Sequence, residues 1–144
     1  MLIHSASQLL TLKGGPQRGA ALGTLGLIEN GAVVVRDEKI VAVGTTAELK
    51  NAYPDEPTLD AGHCVLMPGF VDPHTHLIWA GDRADEFEMK MSGVPYLDIL
   101  AAGGGITSTV RATRKASMAT LIAQTRPRVL RMFSHGTTTA EAKT

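Results

Sequence analysis

Hydrophobic and polar positions follow two regimes along this chain. Up to about residue 65 the apolar positions form short β-branched or alternating runs. Leu2–Leu12 has enough of them for a strand, weakened over Ser5 to Gln8. Ala32–Val35 and Ile40–Val43 are β-branched and are separated by Asp37-Glu38-Lys39, with Asn30-Gly31 before and Gly44 after. That pattern predicts a hairpin. Thr45–Ala52 predicts a short helix closed by Tyr53-Pro54-Asp55, and Thr58–Leu66 predicts one further strand. Lys13–Gly26 is glycine-rich but has no GKS or GKT ending and no strong strand before it, so it reads as an exposed connector rather than a phosphate loop.

The pattern changes at Met67-Pro68-Gly69. Phe70-Val71-Asp72 is a short extended segment running into Pro73-His74-Thr75-His76. Leu77–Ala116 is a long excursion with helical patches at Asp85–Met91 and Tyr96–Ala102 and a triple glycine at Gly103–Gly105. Ser117 is a good helix N-cap. Leu121, Ile122, Val129, Met132 and Phe133 then share roughly one helical face. Pro127 should kink that helix or start a second half, and Gly136 should stop it. The segment Thr137 to Lys143 is β-prone. The second half thus predicts one βαβ unit, whose parallel strands need a larger sheet covered on both faces.

Composition narrows the function classes. The 144 residues are 44% hydrophobic and 19% charged, which suits one folded domain and excludes wholesale disorder. Fourteen basic residues balance fourteen acidic ones. A neutral chain gives no electrostatic case for nucleic acid or an anionic membrane as partner. The one cysteine, Cys64, cannot form an internal disulfide, and its apolar run reads as a core position. No apolar run is long enough to span a bilayer, and the N-terminus lacks the features of a signal peptide. A cytoplasmic location is the expectation.

His74-Thr75-His76 is the most informative chemistry. In a strand, residues i and i+2 point to one face. Two imidazoles would therefore converge near one point at a strand end, as zinc ligation requires. The spacing alone leaves open a pair of solvated histidines. Asp72 either orients an imidazole or caps the strand end. Gly103–Gly105 allows either a close backbone approach or a plain linker. His4, His63 and His135 have no partner at ligand spacing and read as satisfied or exposed. Glu141 and Lys143 read as solvated charges at a strand end.

The segments DAGHCVLMPG, PGFVDPHTH, HTHLIWAGDRADEFEMKMSGVPYLDILAAGGGITSTVRATRKAS and HGTTTAEAK together resemble the imidazolonepropionase family of the amidohydrolase superfamily. The resemblance covers essentially all 144 residues and is strongest over 67–117 and 135–143. It implies an α/β fold: the start of an amidohydrolase-type (β/α)8 TIM barrel preceded by a small β-sandwich-like unit. Residues 1–66 would be the N-terminal part of a composite β-sandwich, and 67–144 the first βαβ portion of a metal-dependent hydrolase barrel. His74 and His76 match two metal ligands, for zinc or iron. Arg83 matches the substrate-binding arginine, expected to hold a propionate carboxylate, and Tyr96 a tyrosine near the substrate. From spacing alone, Arg83 would instead be read as paired with Asp82, Asp85 or Glu86.

The implied activity is hydrolysis of the cyclic amide of 4-imidazolone-5-propanoate to N-formimidoyl-L-glutamate in histidine degradation, by a likeness that also implies a homodimer when full length. A closed barrel needs about 250 residues. The third metal histidine, the acid/base residues and a metal-binding aspartate would lie beyond Thr144, so the barrel is incomplete here. Two alternatives are another cyclic amide or amidine hydrolase or deaminase of the superfamily, and a non-catalytic barrel remnant. The GDRA and GVPYL settings of Arg83 and Tyr96 speak against the first.

Overall fold

A computed structural model describes residues Met1–Lys143. The chain divides into two compact units, Met1–Pro68 and a second that begins at Gly69.

The first unit is a five-stranded sheet with one short helix. Its strands are β1 (Leu2–Leu10), β2 (Leu27–Arg36), β3 (Lys39–Thr45), β4 (Thr58–Asp60) and β5 (Val65–Leu66). The order is β3-β2-β1-β4, with β5 also pairing β1. The expected hairpin is β2–β3. Its two turn residues, Asp37 and Glu38, have φ of 47° and 62°, as a primed two-residue turn requires. The expected helix is α1 (Thr46–Ala52), started by a capping box. The Glu48 N–H donates to Thr45 Oγ1 at 3.3 Å and the Thr45 N–H donates back to Glu48 Oε2 at 2.9 Å. Leu49 on this helix joins Leu2, Ala32 and Val34 in the unit's core, with Ala42 and Tyr53 against it. Along β1 the first buried residues alternate as Leu2, His4 and Ala6. A register shift lies within this stretch, between Ile3 and Ala6.

The single strand expected over Thr58–Leu66 is two strands. Asp60 Oδ1 accepts the Gly62 N–H at 2.9 Å and His63 has φ of 65°. This tight turn breaks the segment, so that β4 and β5 pair in parallel with successive stretches of β1. Cys64 lies in that break and is exposed, which corrects its reading as a core thiol.

The second unit runs β6 (Phe70–Thr75), α2 (Ala84–Met91), α3 (Tyr96–Ala101), α4 (Ile106–Lys115), α5 (Met118–Ser134) and β7 (Thr137–Ala142). Strands β6 and β7 pair in parallel, as the βαβ pattern predicts. Ser117 caps α5 by accepting the Thr120 N–H at 3.1 Å. Helix α5 continues through Pro127 as one element of 17 residues rather than dividing there. Helix α4 was not expected. Its residues Ile106, Thr107, Thr109, Val110 and Thr113 are β-branched, which lowers helix propensity. Its residues Ile106, Thr109, Val110 and Thr113, spaced i, i+3, i+4 and i+7, nevertheless share one helical face, which stays open, with Ile106 72% exposed. Little of this unit is buried: among its described apolar residues only Ala80 and Ile99 are. Phe70, Val71, Val129 and Phe133 stand exposed beside the two-stranded sheet. No helix among the described residues is long and apolar enough to cross a membrane.

Candidate functional site

The geometry around His74 and His76 begins with an irregularity in β6. Asp72 pairs with Ala140 and Thr75 with Ala142, so three steps on β6 face two on β7. The extra residue is a bulge at Pro73-His74. Proline cannot donate to a ladder, and Asp72 Oδ1 accepts the His74 N–H at 3.1 Å in its place. Asp72 therefore acts on the backbone at the strand end. At the other end of the pairing Phe70 and Val71 face Thr137 and Thr139, which bulges Thr138. A Cβ on Gly69 would lie 2.2 Å from Thr138 Oγ1, so this approach needs glycine.

His74 is the penultimate residue of β6 and His76 follows the strand, both exposed. Their ring centroids are 5.5 Å apart and their planes differ by 65°. The two imidazoles are thus brought together at one strand end. Among the described residues there is no group of three or more His, Cys, Asp or Glu that could hold a metal ion. The pair fits two positions of a zinc or iron site, since neutral imidazole nitrogen suits both metals, and supplies no third.

His76 also lines a cavity of about 660 Å³. Trp79, Asp82 and Arg83 line it from the segment after β6, and Ile106, Val110, Thr113 and Arg114 from α4. Mostly apolar walls with a few polar groups and two guanidinium side chains suit a small, flat, anionic ligand. Arg83 sits just before α2, and its Nε lies 3.9 Å from Glu86 Oε2. One of the three acidic neighbours named from spacing is therefore its partner, and the same arginine faces the cavity. Tyr96 opens α3 and is half exposed, with the Lys90 ammonium 5.2 Å from its ring centre. It is not among the residues that line the cavity.

The triple glycine makes close approaches. A Cβ on Gly104 would lie 2.8 Å from both Ile99 Cγ2 and Ile99 O, and Gly105 has φ of 76°. The Gly105 N–H donates to Glu86 Oε1 at 2.9 Å. The remaining histidines are satisfied or exposed: His4 is buried with Nδ1 2.8 Å from Ser5 Oγ, and His135 Nδ1 is 2.7 Å from the Arg131 carbonyl. Lys143 pairs with Glu141. Sequence reasoning missed Trp79 and Arg114, which line the cavity, and Arg128, whose guanidinium lies over Trp79. The helical spacing of Ile106, Thr109, Val110 and Thr113 was the available signal for the α4 wall.

Comparison with known proteins adds an independent observation. The chain is 51% identical over 142 residues to the imidazolonepropionase of Herpetosiphon aurantiacus, a match covering 99% of this chain and 33% of that protein. It is 47% identical to the imidazolonepropionase of Chloroflexus aggregans, over 100% of this chain and 34% of that one. It is 48% identical to that of Deinococcus radiodurans, over 99% and 35%. The chain therefore spans about a third of the length of these curated relatives. A family model described as the imidazolonepropionase-like composite domain of bacteria matches residues 31–55. Among solved structures, aminofutalosine deaminase of Helicobacter pylori in complex with methylthio-coformycin superposes with a TM-score of 0.59 at 19% identity. That match covers 98% of this chain and 29% of the deaminase, and it shows the fold alone.

Proposed function

We propose that this imidazolonepropionase-family chain, which matches the N-terminal portion of its relatives over its whole length, carries part of the active site of a cyclic-amide hydrolase. The substrate would be 4-imidazolone-5-propanoate and the product N-formimidoyl-L-glutamate, in histidine degradation. The observation that carries this reading is the cavity in which His76 and Arg83 meet, beside an imidazole pair 5.5 Å apart.

His74 and His76 would hold the metal, zinc or iron. When bound, it would supply the Lewis acidity that makes water nucleophilic near neutral pH and polarises the amide carbonyl. The chain's own residues bind and orient. Arg83 would take the propionate carboxylate with two parallel N–H donors, a geometry a guanidinium provides and an ammonium does not. The Trp79 side of the cavity and the Ile106–Val110 face would exclude water from the flat ring. Tyr96, outside the cavity lining, would reach the substrate only after a change of position. The bulge at Pro73-His74 aims the imidazoles, and the Asp72 carboxylate fixes the backbone there.

The third metal ligand and the acid/base residues would come from sequence equivalent to the other two thirds of the relatives. So would the strands that extend β6 and β7. A two-stranded parallel sheet with exposed Phe70 and Val71 is not a stable end state, which supports the start of a (β/α)8 barrel. The five-stranded first unit would be the corresponding part of a composite β-sandwich. A cytoplasmic homodimer acting on a small molecule, with neither nucleic acid nor membrane as partner, goes with the reading.

The test is expression of the whole reading frame that carries residues 1–144, with metal analysis and an imidazolonepropanoate ring-opening assay. Turnover that is lost in His74→Ala and His76→Ala is expected. A metal-loaded protein that opens other cyclic amides but leaves imidazolonepropanoate intact would overturn the reading.

A further inference from the structure

Glu86 is the third residue of α2, with its side chain only 14% exposed. Its two carboxylate oxygens are used differently. Oε1 accepts the Gly105 N–H at 2.9 Å, and Oε2 lies 3.9 Å from Arg83 Nε. Gly105 is the residue on which α4 starts, and no side chain caps that helix. One carboxylate therefore joins the residue before α2 to the residue before α4. Both flank the cavity: Arg83 lines it directly, and α4 lines it through Ile106, Val110 and Thr113.

The triple glycine is built around this contact. A Cβ on Gly104 would come within 3.1 Å of Glu86 Cδ as well as 2.8 Å of the Ile99 carbonyl oxygen. From the other side the Arg111 guanidinium donates to the Gly103 carbonyl at 2.5 Å. The loop is thus held at its first and last glycine, and Glu86 is the only acidic side chain among these contacts. A carboxylate that is mostly covered is worth most where it answers both a charge and an N–H donor.

We propose that Glu86 is a positioning residue that holds the Arg83 guanidinium at the cavity, so that the pocket prefers ligands bearing a carboxylate. This rests on the reading above, in which Arg83 receives the propionate. The ion pair turns the Nε edge of Arg83 toward Glu86 and leaves the terminal nitrogens for a ligand. The hydrogen bond to Gly105 keeps the α4 wall in register with that arginine.

The test uses the protein from the whole reading frame and two probes: imidazole-4-propanoate and its uncharged amide, measured by calorimetry. The proteins are wild type, Glu86→Gln, Arg83→Ala and the double variant. Glu86→Gln keeps an oxygen for the Gly105 N–H and removes the charge facing Arg83. It should weaken the acid about 5- to 10-fold and leave the amide unchanged, the size expected for a partly covered ion pair. In the turnover assay KM should rise by a similar factor, with kcat within about twofold. In the Arg83→Ala background the same change should add nothing. Equal loss for acid and amide, or full additivity in the double variant, would mean Glu86 only supports the loop and would overturn the proposal. Should Glu86→Gln not fold, Glu86→Asp keeps the charge but is too short to serve both partners. Selective loss of acid binding there supports the proposal, and unchanged acid binding overturns it. A wild type that opens imidazolonepropanoate while Glu86→Gln keeps full acid preference would sink this inference and leave the functional reading intact. A wild type with neither turnover nor acid preference would sink both.

Discussion

The Arg128 guanidinium lies 3.6 Å from the centre of the Trp79 indole. From that position Nη1 donates to the Trp79 carbonyl at 2.8 Å and to the Leu77 carbonyl at 3.1 Å. A residue of α5 thereby fixes the segment that directly follows His76. Thr113 does the same from α4, its hydroxyl accepting the Ala80 N–H at 3.1 Å. Arg128→Ala should free two carbonyls and an aromatic face together. The expected loss of stability is about 1–3 kcal/mol, with Arg128→Lys recovering only part because an ammonium cannot stack and fork at once. Denaturant unfolding of the two variants checks this; an Arg128→Ala protein as stable as wild type would show the contacts to be idle.

Under the proposed function, Arg83→Ala in the protein from the whole reading frame should raise KM for imidazolonepropanoate far more than it lowers kcat. The propionate is remote from the bond that opens, and a lost charge-assisted pair costs about 1.5–3 kcal/mol of binding. Unchanged kinetics would remove Arg83 from the site.

Residues 1–144 expressed alone should hold metal poorly and turn over no substrate. Catalytic zinc uses three protein ligands, and the described residues bring together two imidazoles. Exposed Phe70, Val71 and Phe133 beside an open two-stranded sheet should also promote self-association. Metal analysis, sizing and the hydrolysis assay test all three. An active monomer with one tightly held metal would contradict the assignment of ligands.

In the first unit, Gly31 of β2 has no room for a side chain. A Cβ there would lie 2.3 Å from Leu9 Cβ. Gly31→Ala should therefore push β1 and β2 apart at a cost of about 1–3 kcal/mol, read as a lower midpoint in thermal unfolding. An unshifted midpoint would mean that the strands relax freely there.

Glu56 carries the clearest pH dependence. It accepts from the N-terminal ammonium of Met1 at 2.7 Å and from Arg36 Nε at 2.5 Å. The ammonium first, then the arginine, holds its carboxyl below the ordinary value of 4.5. A depressed carboxylate contributes stability above its unfolded value and loses it as pH falls through the folded one. Glu56→Gln should thus be less stable than wild type at neutral pH, with the gap closing in acid below 4.5. A gap that persists in strong acid would assign the effect to packing.

Local chemistry explains why much of the architecture was readable from residues alone. The Asp37-Glu38 turn, the Thr45–Glu48 capping box, the Ser117 cap and the β-prone ends of the βαβ unit depend on neighbours within a few positions, so their signals are written in adjacent residues. The His74–His76 pair was readable for the same reason, although its convergence passes through a bulge that period-two reasoning does not contain. What escaped depends on groups distant in the chain. Five β-branched residues argue against α4 locally, while Thr113 of that helix accepts the Ala80 N–H from 33 positions away. The Thr58–Leu66 segment looks continuous until Asp60 turns back on Gly62. The pairing of Glu86 with Gly105, and of Arg128 with Trp79, joins residues 19 and 49 positions apart. No periodicity reports such contacts, because their energy exists only after the helices between them have packed.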